Sequence, residues 1–256
     1  MSNTIYHGRF VWYDLMTTDL KGAEDFYTEV IGWGTQDFGP SMPYTMFTTG
    51  GNPIGGLGEL PQEAVNAGAP PHWISHVAVT DVDELVKDAA GLGAEILKAS
   101  EAIPTVGRFA IVRDPQGAIL SFFTPDQDAP GHEGPAEIGE FSWHELATTN
   151  HEAAYAYYAS LFHWNKTDAM DMGEMGIYQM FGRGDFSLGG MFNKPPQMPV
   201  SMWLYYIRVP DVRLTLDKVT ENGGQVLNGP MEVPGGDLIA QCFDPQGAAF
   251  AIHSFK

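Results

Sequence analysis

The chain opens with an alternating apolar pattern that then changes to a helical one. Arg9–Met16 alternates like a strand with one buried face, and Asp19 is a residue type that favours the N-cap of a helix. Behind Asp19 the apolar residues fall at i, i+3, i+4 and i+7, the spacing of an amphipathic helix: Ala23, Phe26, Tyr27 and Val30. The pattern predicts a strand followed by a helix that ends near Gly32.

The same pattern returns later in the chain. GRFVWYDLMTTDLKGAEDFYTEVIGW at 8–33 corresponds to GEFSWHELATTNHEAAYAYYASLFHW at 139–164, and 73–118 corresponds to 203–248. The offset is 131 residues for the first pair of segments and 130 for the second. Solenoid repeats have periods of roughly 20–50 residues, so this offset indicates a duplicated domain. Asn150 is the N-cap predicted in the second copy, and its helix carries the matching apolar stripe: Ala154, Tyr157, Tyr158 and Leu161.

Each copy is predicted to contain two βαβββ modules. In the first copy Tyr44–Thr48 and Ile54–Glu59 flank a glycine turn, and Tyr178–Phe181 and Ser187–Phe192 are their counterparts. Trp73–Thr80 is a further strand, and the helix behind it begins at Asp81 or Asp83, with these residues facing inward: Leu85, Val86, Ala89 and Leu92. Both copies close in DPQGA, whose Pro and Gly predict a turn. We expect a first domain at 1–124, a Pro- and Gly-rich linker at 125–138 and a second domain at 139–256.

Composition argues against several classes of partner. The 256 residues include 13 Lys and Arg and 32 Asp and Glu, and the net charge of −19 disfavours nucleic acid and an anionic membrane surface. No segment approaches the roughly 20 apolar residues of a membrane span, and MSNTIYHGRF lacks a signal-peptide pattern. The single cysteine, Cys242, lies in an alternating segment that predicts a buried, inert thiol. The expectation is a soluble, cytoplasmic protein.

Three segments resemble the vicinal-oxygen-chelate superfamily of glyoxalase I, bleomycin-resistance proteins and extradiol dioxygenases: VWYDLMTTDLKGAEDFYTEVIGW, HVAVTDVDELVKDAAGLGAEIL and RDPQGAILSFF. The resemblance covers nearly the whole chain and is strongest to tandem members with W-x-x-L at the start and DPQGA at the end of each half. It implies an α+β fold of two tandem domains, each of two βαβββ modules forming a curved mixed sheet cup that holds the ligand. One fold hosts many chemistries, so the activity needs separate evidence.

The resemblance also implies four ligand positions for a divalent metal in each copy. On the first strand these positions hold Trp12 and Trp143, and on the hairpin strand they fall among glycines, with Glu59 just beyond. The other positions are His76 and Ser121 in the first copy and Tyr206 and Ala251 in the second. His76 alone matches the family ligand, whereas a tight site needs about three protein ligands. We therefore expect no cofactor, and the alternative is a divalent metal held by His76 with Glu59 or a neighbouring carboxylate.

Polar residues at the cup positions predict acid–base chemistry. The first copy offers Asp14, His76 and Ser121, and the second offers Glu145, Tyr206 and His253. A carboxylate near a His or Tyr inside an apolar cup can move protons. A purely structural role for these groups is the alternative, and neither set has triad-like spacing.

Aromatic residues at matched positions predict a lining for an apolar or aromatic small molecule: Phe10, Trp12, Trp73, Phe141, Trp143 and Trp203. Trp33 and Trp164, which end helices, are predicted to be core. Arg108 is a candidate substrate contact, with a surface salt bridge as the alternative. An adaptable wall is predicted from the methionines of the second copy: Met170, Met172, Met175, Met180 and Met191.

Three functions follow from these residues. The first is a small-molecule enzyme of lyase, isomerase or hydroxylase type that transfers protons without the full metal site. The second is a non-catalytic binding or resistance protein, and the third is a metal-dependent lyase or dioxygenase. The candidate positions differ between the copies, with His76 against Tyr206 and Phe123 against His253, so we expect at most one working cup. We expect a monomer with paired domains or a homodimer.

Overall fold

The computed structural model describes residues 6–39, 44–129, 131–132 and 134–256. Within the first copy the elements are β1 (Phe10–Thr17), α1 (Leu20–Val30), β2 (Gly34–Asp37), β3 (Thr45–Thr49), β4 (Asn52–Glu59), α2 (Gln62–Asn66), β5 (His72–Ala78), α3 (Val82–Gly91), β6 (Glu95–Ile103), β7 (Gly107–Arg113) and β8 (Ile119–Pro125). Within the second they are β9 (Phe141–Thr148), α4 (His151–Phe162), β10 (Asn165–Asp171), β11 (Ile177–Arg183), β12 (Phe186–Asn193), β13 (Met202–Arg208), α5 (Val212–Glu221), β14 (Gln225–Glu232), β15 (Leu238–Phe243) and β16 (Ala249–Ser254).

Each copy forms one eight-stranded mixed sheet, which confirms the predicted α+β fold of tandem βαβββ modules. The strand orders are β2-β3-β4-β1-β5-β8-β7-β6 and β10-β11-β12-β9-β13-β16-β15-β14. The short helix α2, which the sequence analysis missed, follows the hairpin of the first copy. None of the helices that the structure describes is long and apolar enough to cross a membrane.

The helices begin where the sequence predicts. Asp19, Asp81 and Asn150 accept hydrogen bonds from backbone N–H groups of the first helical turn, at 2.9, 3.1 and 3.0 Å. Asp81 is therefore the cap of α3, and Asp83 lies inside the helix. The prediction that Leu92 faces inward is wrong, because Leu92 follows the end of α3 and is 48% exposed.

The described chain forms two compact units, and each takes one module from each copy. The first unit comprises Met1–Trp12, Ser75–His132 and Trp143–Trp203, and the second comprises Tyr13–Ile74, Glu133–Ser142 and Leu204–Lys256. The predicted boundaries at 124 and 139 follow the sequence copies and stay a prediction. Residues 1–5, 130 and 133, on which part of the leader and linker predictions falls, lie outside the described residues.

A buried tyrosine–aspartate bond holds the core of the first unit. Tyr158 of α4 donates a hydrogen bond to Asp114 of the first DPQGA turn at 2.9 Å and accepts one from the Trp203 indole at 3.3 Å. Asp114 also accepts the backbone N–H groups of Gln116 and Ala118. Burial raises the pKa of the Tyr158 hydroxyl well above its usual range, so Tyr158 stays a neutral donor. The DPQGA motif therefore forms a turn and also anchors a helix.

The second unit repeats the arrangement with the copies exchanged. Tyr27 of α1 donates to Asp244 of the second DPQGA turn at 3.2 Å and accepts from the Trp73 indole at 2.9 Å. Trp73 and Trp203 are each only 6% exposed. Packing around the helix tyrosines places both tryptophans in the cores, and their predicted contact with the substrate stays a prediction.

The Tyr158→Phe variant should lower the free energy of unfolding by about 1–3 kcal/mol. The change removes the only donor group of the side chain and leaves Asp114 buried with one hydrogen bond fewer. Urea unfolding at pH 7 measures the loss, and Tyr27→Phe is the matched variant, expected to give a similar value. Stability unchanged in both variants would contradict an anchoring role for these bonds.

Candidate functional site

Three side chains of the first unit form a hydrogen-bonded chain in the second copy. The Trp143 indole donates to the Tyr178 hydroxyl at 2.7 Å, and that hydroxyl donates to Glu145 Oε2 at 3.1 Å. An indole N–H can only donate, so it orients the tyrosine proton toward the carboxylate. Glu145 and Trp143 are partly exposed, and Tyr178 is buried. These hydrogen bonds thus fix the Glu145 carboxylate, which solvent and a ligand can still reach.

A glycine makes room for the Tyr178 ring in this hydrogen-bonded arrangement. Gly190 of β12 lies opposite Glu145 of β9 in the parallel register, and a Cβ there would lie 1.9 Å from Tyr178 Cε1. The tyrosine ring therefore passes directly over the glycine. The second unit shows the same arrangement for the first copy: Tyr44 donates to Asp14, and Gly56 lies opposite Asp14, where a Cβ would meet the Tyr44 hydroxyl.

Sequence reasoning found Asp14 and Glu145 but missed their tyrosine partners. Tyr44 and Tyr178 occupy matched places in the repeat, just before or within the first hairpin strand, and each copy has glycines in the next strand. A bulky ring matched to a glycine across two strands is a signal that could have identified both pairs.

The Gly190→Ala variant should displace Tyr178 from Glu145. The new methyl group would overlap the ring, and we expect a loss of about 1–3 kcal/mol in the free energy of unfolding from overpacking. Because the Trp143 indole bonds the same tyrosine, its fluorescence should change as well. Gly91→Ala is the control, since a Cβ there meets nothing within 4 Å and the helical backbone of α3 accepts alanine without strain. Unchanged fluorescence in Gly190→Ala would contradict the described packing.

An apolar wall adjoins the hydrogen-bonded side chains of Trp143, Tyr178 and Glu145 in the first unit. Ala147, Tyr178 and Phe192 are its buried centre. The partly buried side chains that pack against this centre are Trp143, Met170, Met172, Met180 and Met198. The predicted Met-rich wall therefore exists, with three of the five expected methionines. Met175 is 55% exposed and Met191 is fully buried, and Met198 was missed.

His76 and Ser121 lie opposite each other on β5 and β8 of the first unit. His76 is 7% exposed, and its ring centroid lies 6.1 Å from that of Phe109 and 6.2 Å from that of Phe123. Ser121 is fully buried, and its hydroxyl donates to the Phe122 carbonyl. The prediction that Ser121 binds substrate is therefore not supported by its position.

Arg108 belongs to a surface ion pair. Its guanidinium lies 3.2 Å from Asp83 and 2.9 Å from the Ser100 hydroxyl, and both charged side chains are about half exposed, at 42% and 51%. Both contacts are made by Nη2 and fit the salt-bridge alternative, and the predicted substrate contact of Arg108 stays a prediction.

The aromatic lining is only partly as predicted. Phe10 stacks on His144 at 3.7 Å in the first unit, and Phe141 stacks on Tyr13 at 3.7 Å in the second. Phe10 is a core residue, whereas Phe141 is partly buried. Trp12 and Trp143 are partly exposed, as lining residues would be. Trp33 and Trp164 are core residues, as predicted.

Two candidate catalytic residues of the second unit, Tyr206 and His253, lie on neighbouring strands. Tyr206 on β13 is buried and accepts a hydrogen bond from Gln241 at 3.0 Å. His253 on β16 contacts the Ser142 hydroxyl at 3.1 Å and Asp237 at 3.3 Å. Sequence reasoning singled out neither Ser142 nor Asp237.

The donors present do not fit the metal site that the fold family implies. The observed register places Gly56 and Gly190 at the hairpin-strand positions, whereas Glu59 lies opposite Thr17 at the strand end and is exposed. No group of three or more His, Cys, Asp or Glu able to hold a metal occurs among the described residues. Cys242 is buried, and burial raises the pKa of its thiol to about 12.

A sequence model of the Glyoxalase/Bleomycin resistance protein/Dioxygenase superfamily matches residues 9–122 and 140–252. The candidate glyoxylase CFP32 of Mycobacterium tuberculosis is 31% identical over 94% of this chain and 92% of its own. The anthracycline biosynthesis protein DnrV of Streptomyces peucetius is 27% identical over 96% and 92%.

Solved structures share the fold at low identity. The Mn(II)-bound glyoxalase of Novosphingobium aromaticivorans matches with a TM-score of 0.64 at 15% identity, covering 97% of this chain and 82% of its own. The 2,2',3-trihydroxybiphenyl 1,2-dioxygenase of Sphingomonas wittichii matches with a TM-score of 0.66 at 8% identity, covering 96% and 89%. These matches show the fold alone.

Proposed function

Since the chain belongs to the Glyoxalase/Bleomycin resistance protein/Dioxygenase superfamily, we propose that it is a small-molecule enzyme that binds an apolar or aromatic substrate and moves a proton with Glu145. The observation that carries the proposal is the fixed chain from Trp143 through Tyr178 to Glu145 beside the Met-rich wall. The reaction is of lyase, isomerase or hydroxylase type.

Each residue has a distinct part in this proposal. The wall binds the apolar body of the substrate, because thioethers and aromatic rings adapt to irregular apolar shapes. Glu145 accepts a proton from the bound substrate. Tyr178 keeps its hydrogen bond to Glu145, so it orients the carboxylate and stabilises its charge. The proton transfer is derived from these residues without a metal, because the donors do not fit one.

A non-catalytic binding protein is the second candidate. Three of the four wall methionines belong to β10 and β11 or the segment just after β10, and flexible methionines are typical of surfaces that bind varied ligands. One relative is named for anthracycline biosynthesis. A polycyclic aromatic ligand of that chemical class is therefore the first probe for both candidates.

Titration with an anthracycline should quench the fluorescence of the protein saturably. The Met180→Gln variant should weaken binding about tenfold, because it puts a polar amide in the wall. Met46→Gln, at the matched place in the first copy, is the control and should bind like the wild type. Equal weakening in both variants, or no binding by the wild type across a panel of polycyclic aromatics, would contradict the proposed ligand site.

A further inference from the structure

A second polar chain in the molecule has the residue types of a catalytic triad. Ser142 Oγ lies 3.1 Å from His253 Nδ1, and His253 Nε2 lies 3.3 Å from Asp237 Oδ2. All three residues belong to the second unit. They are far apart in sequence, on β9, on β16 and immediately before β15, which is why spacing alone did not reveal them.

The hydrogen-bond chemistry determines which way the proton on Ser142 points. An ionised carboxylate only accepts, so Asp237 places the proton of a neutral His253 on Nε2. Nδ1 then carries a lone pair directed at Ser142 Oγ and can take the hydroxyl proton. The Tyr206 carbonyl, 3.2 Å from Ser142 Oγ, is the other acceptor in reach and holds the hydroxyl when His253 is protonated.

The surroundings hold the imidazole without closing it off. The Phe255 ring packs edge-on against His253 at 4.8 Å, and the Lys256 backbone N–H donates to Asp237 Oδ1 at 3.2 Å. The His253 side chain is 14% exposed and the Asp237 side chain 28% exposed. Ser142 is partly exposed, so none of the three residues is fully buried.

The first copy of the repeat shows that the fold does not need these residues. The positions that match Ser142, Asp237 and His253 are Val11, Gly107 and Phe123. Val11 and Phe123 are buried with Ala78 and Ala129 in an ordinary apolar cluster. The polar chain is therefore a property of the second copy and not of the scaffold.

We propose that Ser142 is a nucleophile for acyl transfer from small esters, with His253 as its base and Asp237 as the residue that positions His253. Ser142 Oγ bonds to the carbonyl carbon of the ester while its proton passes to His253. The C–O bond to the leaving alcohol then breaks, and that alcohol takes the proton from His253. Water, activated in turn by His253, hydrolyses the acyl-serine, so ester and water give acid and alcohol.

Labelling with a fluorophosphonate, followed by intact-mass and peptide mass spectrometry, tests the proposal. We expect one adduct, on Ser142, and slow hydrolysis of p-nitrophenyl acetate. Ser142→Val should abolish the adduct, and His253→Phe should slow labelling by about 10²- to 10⁴-fold. Both variants install the residue that the first copy carries at the matched position, so they should fold, and thermal unfolding checks this.

Two further variants separate positioning from structure. Asp237→Asn should slow labelling, because the amide can also donate to Nε2 and favour the wrong tautomer. Asp237→Glu should restore part of the rate, because a carboxylate only accepts and keeps the proton on Nε2. Ser187→Ala is the control, since the Ser187 hydroxyl bonds to Thr167 and should not affect labelling. A wild-type protein that labels no faster than Ser142→Val, or an adduct on another serine, would overturn the proposal.

Discussion

The Glu145→Gln variant is expected to lose about 10²- to 10⁴-fold in turnover, the range of a general base, while its affinity for the ligand stays within about threefold. Glutamine keeps the shape of the side chain and an oxygen that can accept from Tyr178, but it cannot take a proton at neutral pH. Turnover is measured as consumption of each binding compound by mass spectrometry. This split between turnover and affinity distinguishes the enzyme from the binding protein.

The duplicated fold supplies the control for that experiment. Asp14→Asn removes the matched carboxylate, which Tyr44 holds in the first copy. If the second copy is the working site, Asp14→Asn should keep near wild-type turnover. Equal losses in the two variants, or a full rate in Glu145→Gln, would show that Glu145 is not the base.

Acidification from pH 7 to pH 4 is expected to cost the fold up to about 3 kcal/mol through His144 alone. Burial lowers the pKa of this imidazole from 6.5 to about 4, against the weaker effect of its hydrogen bond to the Leu188 carbonyl. Above pH 6.5 the imidazole is neutral in the folded and in the unfolded chain. Between about pH 6.5 and 4 the unfolded chain takes up a proton that the folded chain does not. The free energy of unfolding therefore decreases as the pH is lowered through this range. One pKa unit corresponds to about 1.36 kcal/mol.

His144→Tyr isolates this effect, because Tyr13 is the residue at the matched position in the first copy and stacks on Phe141 as His144 stacks on Phe10. Urea unfolding of both proteins at several pH values gives the slope of the free energy of unfolding against pH for each. The carboxylates and the other histidines are the same in both proteins, so the difference between the two slopes belongs to His144. We expect the variant to lose less stability on acidification, and parallel slopes would contradict the buried neutral imidazole.

The fold was predictable because local signals agree with one another. The alternating strands, the caps Asp19 and Asn150, and the Gly of each DPQGA turn, at φ 101 and 95, all appear where the sequence places them. The burial of Trp73 and Trp203 was not predictable, because it depends on a tyrosine from a distant helix. A one-dimensional pattern holds no information about that packing.

The candidate site was predictable in part. Alternation on the first strand of each copy identified Asp14 and Glu145, which need no long-range information. Tyr178 lies on another strand, and its approach to Glu145 depends on the register that sets Gly190 opposite the carboxylate. The chain of Ser142, Asp237 and His253 requires two strands and a turn to meet, so spacing could not predict it.

A structure with a bound polycyclic aromatic ligand would show whether the second copy holds the working site. We expect ligand density against Trp143 and Met180, with a polar atom of the ligand within hydrogen-bond distance of Glu145. A ligand that lies instead beside Asp14 and Tyr44, with the Met-rich wall unchanged, would contradict the assignment of the working site to the second copy.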